Sequence, residues 1–163
     1  MYDPNFRRAH LGDLETHKPL ILDNMRMADI IRGSDEDFMN VFGASDANQS
    51  FQHVFGAGCP HLVYTKSSEG VDIITGGYSA SYAVPPIQTV STIGAGDAFN
   101  AGMIYYMVNS EFSIGEFSAS CWETMIGNGI RFSADVCQSL DNYISIDFGR
   151  QVSKATPPPA PSP

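Results

Sequence analysis

Apolar residues fall along this chain in short, bounded groups, and the spacing within each group predicts the element it forms. Pro19–Met27 has helical spacing, and Ala28-Asp29-Ile30-Ile31 reads as a short buried strand ending at Gly33. Ser34–Phe42 and Asp46–Phe55 read as two short helices broken at Gly43, and His61–Thr65 reads as a strand. Val71–Thr75 and Tyr78–Val84 flank Gly76-Gly77, the glycine pair of a two-residue hairpin. Helices are predicted over Ala95–Val108 and Ile114–Phe132. Ser113 with Glu116 three residues on forms a capping box at the start of the second. Phe117, Cys121 and Met125 recur along it at helical spacing and read as core.

Strands separated by helices, with one hairpin inserted, predict an α/β fold: a mostly parallel sheet flanked by helices. Ligands of such sheets collect at the carboxyl ends of the strands. The chain has 163 residues, room for one domain with a real core. That domain is predicted over residues 1–153, followed by a tail over 154–163 that holds five prolines. Asp3-Pro4-Asn5 looks like the exit from a strand, yet only two residues precede it. A strand needs about five residues to pair usefully, so the fold is expected to be truncated on its N-terminal side.

Composition narrows the function. Lys and Arg number 9 against 18 Asp and Glu, a formal net charge of −9, which argues against nucleic acid or an anionic membrane surface as partner. An anionic ligand would have to be held by local amide dipoles. The 3 cysteines, Cys59, Cys121 and Cys137, show no metal-ligand spacing and read as reduced thiols of a cytoplasmic protein. No signal pattern or membrane-length apolar stretch is evident. His10, His17, His53 and His61 do not cluster at ligand spacing.

The candidate chemistry lies in Ser91–Gly102. Gly94, Ala95 and Gly96 place successive small residues at the mouth of a helix, where first-turn N–H groups have no partner within the helix. Bare amides and the helix dipole make a site for a phosphate group. Asp97 stands in the same turn. A carboxylate beside an anion is unhelpful for storage. It suits an arrangement in which it takes a proton from a hydroxyl while the amides stabilise a transferring phosphoryl group. The plainer reading is a tight turn into a core helix, with Asp97 favouring the dipole.

Thr92-x-Gly94-Ala95-Gly96-Asp97-x-Phe99, followed by Ala101-Gly102, resembles the second signature of the ribokinase-like (pfkB) carbohydrate kinases. The resemblance implies that Asp97 is the catalytic base and that the amides of Gly94, Ala95, Gly96 and Asp97 form an anion hole. Asp3-Pro4-Asn5-Phe6-Arg7 is similar to the DPNxR motif of fructokinase-like and 2-keto-3-deoxygluconate kinase-like members, which implies that Asn5 and Arg7 face substrate and phosphate. On its own the segment is a turn with a solvated arginine. Leu62–Gly70 resembles the family's strand and TxGxxG turn, implying nucleotide contacts from Thr65, Ser67 and Gly70, with Ser67 standing where the family has glycine. Ser34 and Asp37 occupy the place of an NxxE motif that orders magnesium-bound water, and the same pair also reads as a helix capping box. Ser91 replaces an Asp that helps hold a monovalent cation in many members, so potassium activation is not expected. Asn128, between Gly127 and Gly129, falls where the family's adenine-side helix often carries Asn.

The implied function is transfer of a phosphoryl group from ATP, with Mg²⁺, to a sugar hydroxyl. The chain would be the C-terminal, nucleotide-binding half of such an enzyme, with little activity alone. The N-terminal half of the family would be its structural partner, and self-association through an exposed sheet edge its liability. Two alternatives stay open: a catalytically silent nucleotide-binding or assembly module, and a nucleoside or vitamin-precursor kinase of the same fold.

Overall fold

The computed structural model describes residues 1–110 and 117–154. It divides into two compact units, Met1–Val84 and Pro85–Pro163.

The first unit is a four-stranded sheet, β1 (Ile31–Ser34), β2 (His61–Thr65), β3 (Val71–Thr75) and β4 (Ser79–Tyr82), in sequential order. It carries α1 (Leu14–Met27), α2 (Asp35–Phe42) and α3 (Ala47–Gly56). Parallel pairing is found where Tyr2 bridges Ile31 and β1 pairs β2; β2–β3 and β3–β4 are antiparallel. The expectation of a mostly parallel sheet is corrected on that side. The connection from β2 to β3 is one short 3₁₀ turn, Ser67–Glu69, too short for the crossover helix a parallel neighbour requires.

Ile31, Leu62 and Tyr64 share the face that meets Met25, Phe38, Val41 and Val54 in the core. The strand predicted at Ala28–Ile31 lies three residues later, at Ile31–Ser34. Gly33 is not its stop but a strand residue, paired with Tyr64, and its missing β-carbon makes room for the Phe38 ring, which would stand 2.7 Å from it. The helix predicted from Pro19 begins at Leu14, with Pro19 inside it. Proline favours the first turn of a helix; inside it, Pro19 removes one i→i−4 bond and crowds the carbonyl four residues earlier. Gly43 adopts φ 68° and ends α2, as predicted. The Gly76-Gly77 hairpin forms without either glycine at positive φ. The Thr75 hydroxyl instead accepts from the Gly77 and Tyr78 amides at 3.2 and 2.9 Å.

The second unit is helical: α4 (Ala95–Asn109), α5 (Ala119–Val136) and α6 (Ile146–Lys154). α4 starts where predicted. α5 is capped by Ser118, whose hydroxyl accepts from Cys121 N–H; the predicted capping box of Ser113 and Glu116 lies outside the described residues. α6 was not predicted, and the tail residues 155–163 lie outside the described residues. No helix among the described residues is long and apolar enough to cross a membrane.

Candidate active site

The mouth of α4 is built by the chain turning back on itself. Gly94 has φ 82°, a left-handed conformation open to glycine, and Ala98 N–H donates to its carbonyl at 2.8 Å in the first helical bond. Ala95 N–H donates to Thr92 O at 3.2 Å. That narrows the predicted anion hole: the Ala95 amide is engaged by protein. Gly96 and Asp97 remain as the first-turn amides with no carbonyl a turn earlier in the helix. Asp97 is exposed at the surface of this turn rather than folded into the core.

Residues beyond the motif hold this mouth in place. Val90 and Ser91 N–H both donate to Cys137 O at the end of α5, at 2.8 and 3.3 Å. Asp135 accepts from Ser145 N–H at 2.6 Å and from its hydroxyl at 2.9 Å, closing the loop between α5 and α6. Asn142 of that loop lies against Gly94: a β-carbon on Gly94 would be 2.9 Å from Asn142 O. None of these partners carries a sequence signal, because their spacing from the motif is set by the length of α5.

Small residues bring α4 and α5 together. A β-carbon on Gly102 would stand 2.5 Å from Asn128 O, and one on Gly129 would stand 2.9 Å from the Phe99 ring. The main chain of Asn128 therefore packs against α4, and its Nδ2 donates to Thr124 O at 2.9 Å. That bond uses one of the two Nδ2 hydrogens and leaves Oδ1 out of it; a β-carbon on neighbouring Gly127 would meet nothing within 4 Å.

In the first unit the predicted residues gather at the carboxyl ends of β1 and β2, where Ser34 pairs with Thr65 across the sheet. Arg32, 8% exposed, donates from one guanidinium nitrogen to Asp3 Oδ2 and from another to Thr65 Oγ1, each at 2.8 Å. Asp3 Oδ1 accepts from Asn5 N–H at 3.0 Å, and Asn5 has φ 43°. Asn5 and Arg7 are exposed. Thr65 is 8% exposed, and its hydroxyl also donates to Gly33 O at 3.4 Å, so it holds the strand ends rather than reaching for a ligand. Ser67 has φ 50°, an unfavourable value for a residue with a β-carbon, which explains the glycine that the resemblance places there. Gly70 has φ 120°, and a β-carbon on it would lie 2.6 Å from Tyr82 O. Lys66 N–H closes the turn on Gly70 O at 2.9 Å.

Ser34 and Asp37 form the capping box. Asp37 N–H donates to Ser34 Oγ at 3.1 Å, while Asp37 Oδ2 accepts from Ser34 N–H and Oγ at 2.8 and 2.6 Å. One carboxylate oxygen and the hydroxyl are thereby committed to the helix start. Among the described residues no three His, Cys, Asp or Glu side chains converge on a metal-sized site. The described residues do not fit a resident metal centre.

The family described as pfkB family carbohydrate kinase matches residues 1–120. Aminoimidazole riboside kinase of Salmonella typhimurium is 23% identical over 140 residues, covering 86% of this chain and 41% of that protein. Fructokinase of Rhizobium leguminosarum bv. trifolii is 30% identical over 128 residues, 78% of this chain and 39% of its own. The crystal structure of aminoimidazole riboside kinase from Salmonella enterica, complexed with aminoimidazole riboside and an ATP analog, superposes with a TM-score of 0.80 at 21% identity. That superposition covers 93% of this chain and 50% of the other. The chain thus has the ribokinase-like fold and spans about two fifths of the length of the curated relatives it matches.

Proposed function

Because the chain belongs to the pfkB family of carbohydrate kinases, we propose that it supplies the nucleotide-binding half, residues 1–153, of an enzyme that moves the γ-phosphoryl group of ATP to a sugar hydroxyl. The observation that carries this reading is the mouth of α4, where exposed Asp97 shares a first turn with the amides of Gly96 and Asp97 itself.

Asp97 takes the proton of the acceptor hydroxyl as that oxygen attacks the γ-phosphorus. The bond between phosphorus and the β,γ-bridging oxygen breaks, and ADP leaves. The Gly96 and Asp97 amides meet the negative charge on the moving group, aided by the dipole of α4. A chain with net charge −9 attracts no anion from afar, so these short-range dipoles carry the phosphate interaction, with Mg²⁺ arriving on the nucleotide. Ser67, Gly70 and Asn128 Oδ1 serve the nucleotide, and Asn5 and Arg7 serve the acceptor side, where Arg7 can grip an anionic oxygen with two parallel bonds. Three buried, unpaired thiols, Cys59, Cys121 and Cys137, suit a reducing cytoplasm.

A fructokinase and an aminoimidazole riboside kinase both stand among the relatives, which supports a hexose or a riboside as the acceptor to test first. One specific observation favours a silent nucleotide-binding module instead: Ser34 and Asp37 bind each other and leave little to order a metal's water. Calorimetry with MgATP on the chain tests nucleotide binding. Phosphorus NMR with fructose and aminoimidazole riboside tests transfer, using the chain alone and fused to the remaining part of the Rhizobium relative. We expect binding with little turnover by the chain alone, and turnover by the fusion that Asp97→Asn abolishes without loss of ATP affinity. Equal turnover by the Asp97→Asn fusion would remove the base assignment. ATP binding with no transfer by any fusion would favour the silent module.

A further inference from the structure

We propose that Arg32 is a positioning residue whose guanidinium couples the turn carrying Asn5 and Arg7 to the loop that follows β2, so that the acceptor side and the nucleotide side of the first unit are set by one side chain. This rests on the reading that those two segments serve acceptor and nucleotide.

The coupling is a continuous chain of bonds. Asn5 N–H donates to Asp3 Oδ1, Asp3 Oδ2 accepts from Arg32, and the other arm of the guanidinium reaches Thr65 Oγ1. Thr65 is the last residue of β2, and Lys66 opens the loop that closes on Gly70. Left-handed backbone flanks both ends of this chain of bonds: Asn5 at φ 43°, which Asn tolerates, and Ser67, two residues past Thr65, at φ 50°, which sterics disfavour. The Ser67 conformation persists only where the surroundings hold it. Tyr2 is tied to the sheet by two main-chain bonds, to Ile30 O and from Arg32 N–H, and Asp3 continues past that anchor. The fork of Arg32 therefore fixes the turn where main-chain pairing has stopped. A guanidinium presents coplanar donors to two acceptors at once, a geometry that an ammonium does not reproduce. Arg32 is buried and acts through Asp3 and Thr65.

The test uses the whole chain and the variants Asp3→Asn, Thr65→Val and Arg32→Lys. Amide hydrogen exchange reads the coupling without any ligand. Asp3→Asn is expected to speed exchange at Lys66 and Glu69, the bonded amides of the loop, as well as at Asn5. In the Thr65→Val background the same substitution is expected to change Asn5 alone. With MgATP, Asp3→Asn and Arg32→Lys are each expected to raise Kd by about fivefold or more, the lower range of intersite coupling. Asp3→Asn should add nothing to Thr65→Val. If Asp3→Asn leaves Lys66 and Glu69 unchanged, or acts equally in both backgrounds, the coupling is refuted. If the wild-type chain binds no ATP, the nucleotide reading fails while the exchange result still decides the coupling. Should Arg32→Lys not fold, the Asp3 and Thr65 variants alone complete the comparison.

Discussion

The main-chain carbonyl of Asn142 stands 2.9 Å from the point where a β-carbon on Gly94 would lie, closer than real β-carbons approach. Gly94 thus answers two demands together, a left-handed φ of 82° and a neighbour that leaves no room for a methyl group. Gly94→Ala is expected to destabilise the chain by about 1–3 kcal/mol, the range for a residue forced into a disfavoured backbone region. It should also weaken phosphate binding, because the loop carrying Asn142 must move away from the mouth of α4. Urea titration beside ATP calorimetry checks both. Wild-type stability would mean that the loop yields freely.

The crossing of α4 and α5 depends on Gly102, whose missing β-carbon would lie 2.5 Å from Asn128 O. The obstacle is main chain, which cannot rotate aside as a side chain does. Gly102→Ala is expected to cost about 1–3 kcal/mol by overpacking, despite the better helix propensity of alanine. A rise in thermal midpoint would show that the helices separate without penalty.

Ser34 and Asp37 close the start of α2 on each other. Ser34→Ala removes the acceptor for Asp37 N–H and a donor to a carboxylate only 7% exposed, with an expected loss of about 1 kcal/mol. Asp37→Asn should be comparably destabilising. If either variant instead keeps full stability and loses only magnesium-dependent activity, the pair serves water ordering rather than the helix.

Ser67 occupies φ 50°, where a glycine is at ease. Ser67→Gly removes about 1 kcal/mol or more of left-handed strain. Against that, the added freedom of the unfolded chain costs about 0.5–1 kcal/mol. The net outcome expected in chemical denaturation is neutral to about 1 kcal/mol more stable by the same account. A clear loss of stability would indicate that the Ser67 side chain makes a compensating bond.

Burial pushes the thiols of Cys59 and Cys137 above their ordinary range. In the unfolded chain a thiol ionises near pH ~8.5. Above that pH the unfolded state releases protons that the folded state retains, so stability is full below it and falls as pH rises toward the folded values. The denaturation midpoint is expected to decline through this alkaline range, and replacing both cysteines by alanine should flatten the decline. Tyr64 and Tyr106, also pushed up by burial, add the same sign at higher pH. A midpoint that climbs with alkaline pH would contradict the burial account.

The chain's own order was enough to mark β2, the hairpin of β3 and β4, the break at Gly43 and the start of α4. At Gly43 and Gly94 local steric preference and tertiary packing favour the same left-handed conformation, whereas the hairpin forms at the predicted place through Thr75 rather than through positive-φ glycines. Gly94–Asp97 could be singled out because a run of small residues before an acid shapes a helix mouth whatever surrounds it. Where the two disagree, the tertiary contact wins. Gly33 looks like a strand's end and is a strand's interior, because only the fold sets it opposite Tyr64 in β2. Thr65 and Ser34 look available for ligands, yet their hydroxyls are engaged by Arg32 and Asp37, groups that the strand register and the helix start bring within reach. Asn142 over Gly94, Cys137 beneath Ser91 and the fork of Arg32 are distant in sequence and adjacent in space. Local chemistry is written in neighbouring residues, whereas contact between remote ones exists only once backbone pairing and packing have set the distances.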